Sequence, residues 1–222
     1  MPHAGGNAMF YTKLKPFLDP RLMFCPVELA GRGARFGEAP FTCLDEVVAD
    51  IFPFFERNRQ PYILMGYSMG SLIIYELLHR IVEEGVRCPD HVFLAAKSAP
   101  GVVASNNQVH LLPKDEFIRV IRDMEGTPQE FFSCPELMDL FIPVMRADYS
   151  VVENYQWQSG RKPLQLQATV LYGNQDDISV EDIAAWQTHF EAPIHIEEYH
   201  GGHFFINDHW ASVADLLNRR VF

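Results

Sequence analysis

Long apolar runs are missing from this sequence of 222 residues. No uninterrupted apolar stretch approaches the roughly 20 residues that a membrane-spanning helix requires. The first six residues, Met-Pro-His-Ala-Gly-Gly, also lack the basic region followed by an apolar region that is typical of a signal peptide. We therefore expect neither a membrane span nor a secretion signal.

Cysteine is scarce, and the cysteines that occur form no CxxC pair. The four of them lie far apart in the sequence, at Cys25, Cys43, Cys88 and Cys134. Scattered thiols in a chain of this size are typical of a reducing compartment and not of a disulfide framework or a zinc site. The cysteine content therefore predicts the cytoplasm.

Cationic residues are also few. The sequence has 18 Lys and Arg against 29 Asp and Glu, so its formal net charge is -11. An acidic surface repels phosphate backbones. This balance excludes nucleic acid as an expected partner.

Apolar residues, in contrast, make up 48% of the sequence. That share fits one globular domain over residues 1–222. Strands are predicted at residues 23–29, 62–65, 91–96, 166–172 and 194–199, and helices at residues 44–57, 71–82, 180–190 and 210–219. The alternation of strands and helices predicts an α/β fold, with a mostly parallel sheet that helices cover on both faces.

A purely helical stretch at residues 113–147 interrupts this alternation. From Phe117 to Met124 the apolar residues recur at i, i+3, i+4 and i+7, which predicts one apolar stripe on a helix. A helical insertion late in an α/β sheet is where a lid over an active site would lie. We therefore predict a helical lid insertion over about residues 104–145.

The most informative motif is Gly66-x-Ser68-x-Gly70, at the junction of a predicted strand and a predicted helix. A sharp strand-to-helix turn lifts a serine hydroxyl above the sheet edge, and its flanking residues must be small because the backbone doubles back tightly. The N-terminus of the following helix adds partial positive charge where an oxyanion would form. The motif predicts Ser68 as a nucleophile, and a chance match in an ordinary turn is the alternative.

A nucleophilic serine needs a base, and the base needs an acid that orients it. His203 follows the last predicted strand, where the chain order of α/β-hydrolases has the base. Asp176 and Asp177 follow the preceding strand, where that order has the acid, and the residues themselves do not separate the two. His200 and His203 could also form a metal pair, but no Cys or carboxylate lies nearby at metal-ligand spacing, so no metal site is predicted.

Two backbone N–H groups are candidates for an oxyanion hole. The N–H of Met69 directly follows the nucleophile, and the second donor should come from an early loop. Residues 3–6, His-Ala-Gly-Gly, resemble the HGGG-type motif, and their glycines let the backbone approach a carbonyl closely. We predict the N–H of Ala4 as the second donor, with a flexible terminus as the alternative.

Together these motifs resemble the type II thioesterases that accompany polyketide synthases and nonribosomal peptide synthetases. The matching stretches run in family order over almost the whole chain: PHAGG, ELAGRGARFGEAPF, GYSMGSLIIYEL, SAP, GTPQEFF, PELMDLFIPVMRADYSVVENY, GNQDD and GGHFFI. Arg-Ala-Asp at residues 146–148 is unusually specific to the family. The family normally has an apolar strand ahead of PHAGG, whereas this sequence begins within that motif.

The resemblance implies an α/β-hydrolase that removes acyl groups from the phosphopantetheine thiol of acyl- or peptidyl-carrier proteins. Such enzymes clear stalled or wrongly primed chains, and some release intermediates. The implied residues are Ser68 as nucleophile, His203 as base, Asp177 as acid, and Ala4 and Met69 as the oxyanion hole. No metal or redox cofactor is required, and the enzyme is expected to be a monomer.

Two alternatives from other classes stay open. A small-molecule carboxylesterase would use the same triad on oxygen esters, and a binding protein could keep the hydrolase fold without catalysis. The intact candidate triad argues against the second alternative.

Recognition of a carrier protein raises a further question of charge. Carrier proteins are often acidic, as this chain is, so long-range attraction should not drive the encounter. A local apolar or basic rim near the site is expected instead. Arg32 and Arg35, in a loop punctuated by glycines, are candidates for this rim, with internal pairing as the alternative.

Overall fold

The computed structural model describes residues 1–102, 108–124, 126 and 129–221. Its sheet has four strands, β1 (Ile63–Tyr67), β2 (His91–Ala95), β3 (Ala168–Gly173) and β4 (His195–Tyr199), which pair in this order and are all parallel. Every residue of β2 and β3 is buried. The continuous apolar runs of these central strands therefore match a parallel sheet that is covered on both faces.

Helices cover both faces of the sheet. Helices α1 (Leu44–Glu56) and α2 (Met69–Glu83) share one apolar cluster with one face, and α6 (Ile206–Val221) shares a second cluster with the other. Val92 and Phe93 are neighbours on β2 but belong to different clusters. Successive side chains of a strand point to opposite faces, so β1, β2 and β3 each contribute to both cores.

Most of the predicted elements are confirmed, and two need correction. The predicted strand at 23–29 was wrong: the segment forms no sheet pairing, Pro26 has no N–H to donate, and Met23 is 87% exposed. The predicted helix at 180–190 is instead a short α5 (Val180–Ala184) followed by a 3-10 helix (Ala185–His189).

A block of helices lies between β2 and β3 in the chain. It contains α3 (Lys114–Asp123) and α4 (Pro135–Glu153), with 3-10 helices at Val109–Leu111 and Gln129–Ser133. The predicted boundary at residues 104–107 falls outside the described residues. Helix α4 runs well past residue 145, since its last turns pack against the main core through Val151. None of the helices in the described parts of the chain is long and apolar enough to cross a membrane.

Candidate active site

Ser68 lies on a strained turn between β1 and α2. Its φ of 52° is uncommon for a residue with a side chain, and its ψ is -114°. A Cβ at Gly66 would collide with the backbone of Gly70, and a Cβ at Gly70 would collide with the carbonyl oxygen of Met1. Both flanking positions therefore have room only for glycine, which is the physical reason for the Gly-x-Ser-x-Gly spacing.

The hydroxyl of Ser71 holds this turn against the end of β2. Ser71 is fully buried, and its Oγ accepts the N–H of Ala95 at 3.0 Å. The same Oγ lies 3.0 Å from the oxygen of Gly66 and 2.9 Å from that of Ala95, so its one proton serves either carbonyl. The N–H of Ser68 also donates to Ala95 O at 2.7 Å. Sequence reasoning missed Ser71, which has the pattern of an ordinary first-turn helix residue.

Ser68, His203 and one aspartate form a continuous hydrogen-bonded chain. His203 Nε2 lies 3.0 Å from Ser68 Oγ, and His203 Nδ1 lies 2.8 Å from Asp176 Oδ2. A carboxylate at Nδ1 favours the tautomer with the proton there, which leaves Nε2 free to accept the serine proton. Both ring nitrogens of His203 are thus engaged in this chain, and the arrangement does not resemble a His200–His203 metal pair.

The acid that contacts the base is Asp176, so the expectation of Asp177 in this place was wrong. The side chain of Asp176 is only 6% exposed, whereas Asp177 is exposed. The Asp176 N–H donates to Gly173 O at 3.1 Å, which closes a turn directly after β3. A Cβ at Gly173 would collide with the carbonyls of Gly201 and Gly202. The loops after β3 and β4 therefore touch, and their contact directs the first of the two acids toward the base.

The backbone of the base has its own support from β1. The Tyr67 hydroxyl donates to the carbonyl oxygen of His203 at 2.6 Å, and Tyr67 is fully buried. Its ring stacks on that of Phe204, with 6.0 Å between the centroids. The residue before the nucleophile therefore fixes the position of the base, a role that its apolar strand pattern did not indicate.

The predicted oxyanion loop is a tight turn over residues 3–6. The Gly6 N–H donates to His3 O at 2.9 Å, and Gly5 has a φ of 74°, as the third residue of a type II turn requires. Within the described residues, the N–H groups of Ala4 and Met69 have no hydrogen-bond acceptor. Met69 is the first residue of α2, whose N-terminal N–H groups have no acceptor within the helix. Neither predicted donor is therefore occupied by another hydrogen bond in the described part of the chain, as a role in an oxyanion hole requires.

A buried ion pair lies behind this turn. Arg32 and Asp148 form two parallel contacts of 2.6 Å, and their side chains are 8% and 4% exposed. The Gly5 N–H donates to Asp148 Oδ2 at 2.6 Å, and Arg32 Nη1 donates to Gly6 O at 3.0 Å. Burial raises the pKa of Asp148, and its contacts with Arg32 and Gly5 oppose that rise. Arg32 is therefore not part of an exposed rim.

Arg35 is paired internally as well. Its guanidinium makes two contacts with Asp50, of 2.6 and 2.9 Å, and two further contacts with Glu38. The expectation that these two arginines form a basic rim was wrong, and the alternative of internal pairing is confirmed. The local sequence has the composition of a solvated loop, and the partner of Arg32 lies far along the chain.

His3, at the start of the turn, is uncharged at neutral pH. Burial, together with the charges of the nearby His203 and Arg32, lowers the pKa of His3 to about 4. Its ring packs edge-on against Phe10 and Phe204, with centroid distances of 4.5 and 4.8 Å. These contacts make His3 a packing residue of the turn.

The fold and the site define a class of protein. A serine on a sharp turn, bonded to a histidine and an aspartate at the carboxyl ends of later parallel strands, has the arrangement of a serine hydrolase with the α/β-hydrolase fold. A sequence model of the Thioesterase domain matches residues 1–221, and the chain belongs to this family. The chain is a thioester hydrolase, and the resemblance inferred from its motifs is confirmed.

Individual relatives match over nearly the whole chain. Linear gramicidin dehydrogenase LgrE of Brevibacillus parabrevis is 32% identical over 97% of this chain and 83% of its own. Thioesterase PikA5 of Streptomyces venezuelae is 31% identical over 98% of this chain and 78% of its own. The structure of BorB, a type II thioesterase from the borrelidin biosynthetic cluster, has a TM-score of 0.90 at 30% identity and covers 100% of this chain and 90% of BorB.

Proposed function

We propose that this enzyme hydrolyses acyl groups from the phosphopantetheine thiol of carrier proteins in polyketide or nonribosomal peptide biosynthesis. It would thereby remove stalled or aberrant chains or release intermediates. The hydrogen-bonded chain from Ser68 through His203 to Asp176 carries this proposal. The similarity to BorB, a type II thioesterase of a biosynthetic cluster, supports the substrate class.

The first half of the reaction forms an acyl-enzyme. His203 Nε2 takes the proton of Ser68 as Oγ attacks the thioester carbonyl carbon. The carbonyl oxygen becomes an oxyanion that the N–H groups of Ala4 and Met69 stabilise. When this intermediate collapses, the C–S bond breaks and the leaving thiol receives the proton from His203. The product is an ester on Ser68 and a free pantetheine thiol.

The second half of the reaction regenerates the serine. His203 takes a proton from a water molecule, whose oxygen attacks the ester carbonyl of the acyl-enzyme. The same two N–H groups hold the second oxyanion. Collapse breaks the bond to Ser68 Oγ, which recovers its proton from His203, and a free carboxylic acid leaves. Neither half requires a metal or a redox cofactor.

In this proposal the acid of the triad is Asp176 and not Asp177. The imidazole of His203 becomes positively charged in both halves, and the carboxylate at Nδ1 stabilises that charge. The shielding of Asp176 from solvent supports the assignment, because an electrostatic contact is stronger where water is excluded.

The helical block would serve as a lid on a single domain that spans residues 1–222. Its Gly126 packs so closely on the ring of Phe204 that a Cβ there would collide, and Phe204 directly follows the base. A small apolar cavity within the block is lined by residues that include Phe117, Phe141 and Met145. Movement of the block would open a path for an acyl chain toward this cavity.

The cellular setting belongs to the same proposal. All four cysteines are free thiols, which supports a reducing compartment, and we place the enzyme in the cytoplasm. It would act as a monomer that meets its carrier protein transiently. Because Arg32 and Arg35 are paired internally, recognition would rest on the pantetheine arm and on apolar contacts near the entrance.

Mass spectrometry of a carrier protein tests this function. A carrier loaded with an acyl-phosphopantetheine group is incubated with the parent enzyme and with Ser68→Ala, and the loss of the acyl mass is followed. The parent should unload the carrier, and the variant should not. A kcat/KM for a free aryl ester far above that for the acyl-carrier protein would instead favour a small-molecule carboxylesterase.

A further inference from the structure

We propose that Asp148 and Arg32 are positioning residues for the oxyanion hole, which fix the turn at residues 3–6 so that the N–H of Ala4 is directed at the site. This inference rests on the proposed function, because it concerns the donor that the proposed reaction uses. Neither side chain needs to touch the substrate. Their effect is transmitted through the backbone of Gly5 and Gly6.

Asp148 fixes the central peptide of the turn. That peptide joins the carbonyl of Ala4 to the N–H of Gly5, and Asp148 Oδ2 accepts this N–H at 2.6 Å. The central peptide has opposite orientations in type I and type II turns, so a fixed acceptor selects one of them. The bond also occupies the Gly5 N–H, which leaves Ala4 as the donor that faces a ligand.

Arg32 fixes the end of the same turn. One of its nitrogens, Nη1, contacts both Asp148 Oδ2, at 2.6 Å, and Gly6 O, at 3.0 Å. The planar guanidinium thus holds the carboxylate and the turn carbonyl in one geometry, which a lysine could not reproduce. One ion pair therefore holds the turn at two of its peptides, through the N–H of Gly5 and the carbonyl oxygen of Gly6.

Helix α4 is the element on which the turn rests. A Cβ at Gly5 would collide with the side chains of Phe141 and Met145. These residues and Asp148 lie at i, i+4 and i+7, so they form one face of α4. Helix α4 therefore supports the turn at residues 3–6. The position of α4 in the fold determines where Ala4 lies.

The energetics of this ion pair favour a role in positioning the turn and not a role in stabilising the fold. Removing the two charges from water costs several kcal/mol for each ion. Their mutual attraction returns about the same amount, so a well-packed apolar pair would often be equally stable. The burial of Asp148 raises its pKa, which is a sign of that cost. A charged pair at this place is explained by the two turn groups that it binds, one donor and one acceptor.

The chain contains a matched control for this pair. Arg35 and Asp50 also form two parallel contacts, of 2.6 and 2.9 Å, and their side chains are 23% and 20% exposed. Asp50 lies on α1, and among the described residues it makes no hydrogen bond to the turn. Asp50→Asn therefore breaks an arginine–aspartate pair of the same geometry without touching the oxyanion hole.

The test compares three variants: Asp148→Asn, Arg32→Lys and Asp50→Asn. For each variant, kcat, KM and the affinity of an acyl trifluoromethyl ketone are measured. This inhibitor forms an oxyanion adduct with a serine. Loss of one oxyanion donor lowers kcat by roughly 100- to 1,000-fold, so a misplaced donor should lower it by about 10- to 100-fold with little change in KM. Inhibitor affinity should fall by a similar factor in Asp148→Asn. Arg32→Lys should show a smaller loss in the same direction, and Asp50→Asn should keep kcat within about twofold.

Several outcomes would overturn the positioning role. The first is a kcat within about twofold of the parent in folded Asp148→Asn and Arg32→Lys. The second is an unchanged inhibitor affinity in Asp148→Asn, and the third is an equal loss of kcat in Asp50→Asn. If Asp148→Asn does not fold, Arg32→Lys and its inhibitor affinity decide the matter. Ser68→Ala is measured alongside: hydrolysis that survives there overturns the proposed function itself, whereas hydrolysis lost there and normal in Asp148→Asn overturns only this inference.

Discussion

The Tyr67 hydroxyl donates a 2.6 Å hydrogen bond to the carbonyl oxygen of His203, so the residue that precedes the nucleophile also holds the base. Tyr67 ends β1 and His203 lies in the loop after β4, at opposite edges of the sheet. The bond therefore links the residue before the nucleophile directly to the backbone of the base. It fixes the distance between Ser68 and His203 independently of the substrate.

Tyr67→Phe should lower kcat by about 10-fold with little change in KM. The substitution preserves the ring but leaves a part-buried carbonyl without this donor, which costs about 1–3 kcal/mol and lets the base move. Steady-state kinetics on an acyl-pantetheine thioester measure the effect. A parent-like kcat in the folded variant would show that the loop after β4 holds the base without Tyr67.

Asp176→Asn should lower kcat by several orders of magnitude, whereas Asp177→Asn should leave it within about twofold. An amide at the Nδ1 position favours the wrong imidazole tautomer and cannot stabilise the imidazolium. Asp177 is exposed and lies outside the chain of contacts. The two neighbours serve as controls for each other, and the reverse order of effects would return the role to Asp177.

Gly70→Ala should destabilise the protein severely, and Gly37→Ala should not. A Cβ at position 70 collides with the carbonyl oxygens of Met1 and Pro2, whereas a Cβ at position 37 meets nothing within 4 Å. Overpacking of this kind costs typically about 1–3 kcal/mol. Urea unfolding of both variants gives the comparison. Equal midpoints would mean that the N-terminal segment moves aside at little cost and does not constrain the turn between β1 and α2.

Acid should weaken the fold through its buried histidines. Burial lowers the pKa of His3, His79 and His91 to about 4, from an ordinary value near 6.5. Between these values the unfolded chain binds protons that the folded chain does not, so the free energy of unfolding falls as the pH falls from about 6.5 toward 4. The contribution is fully present above pH 6.5.

Urea midpoints at pH 7, 6 and 5 test this expectation. They should decrease with pH, and His91→Gln should show a shallower decrease than the parent. His91 Nε2 contacts the Thr169 hydroxyl at 2.8 Å, and glutamine can keep a hydrogen bond there without titrating in this range. Identical slopes in the parent and the variant would show that His91 does not contribute to the pH dependence.

The sequence predicted features whose cause is local. Gly66, Ser68 and Gly70 lie within one turn, and the sterics of that turn require the spacing that the motif displays. The central strands β2 and β3 were found because parallel strands that are covered on both faces are apolar almost without interruption. His203 followed from the chain order of the elements.

Features that depend on distant contacts were not predictable in this way. The choice of Asp176 over Asp177 depends on how Gly173 meets the loop after β4. Arg32 has the local composition of an exposed loop, and its burial depends on Asp148. The apolar run at 23–29 has strand-like side chains but no neighbouring strand with which to pair.

The central claim is that Ser68 carries the acyl group between the two halves of the reaction. The most direct measurement is peptide mass mapping of the enzyme after rapid acid quenching of its reaction with an acyl-loaded carrier protein. The account predicts the acyl mass on the peptide that contains Ser68, and no acyl mass on that peptide in Ser68→Ala. Hydrolysis that proceeds with the acyl group on another residue, or at an undiminished rate in Ser68→Ala, would contradict it.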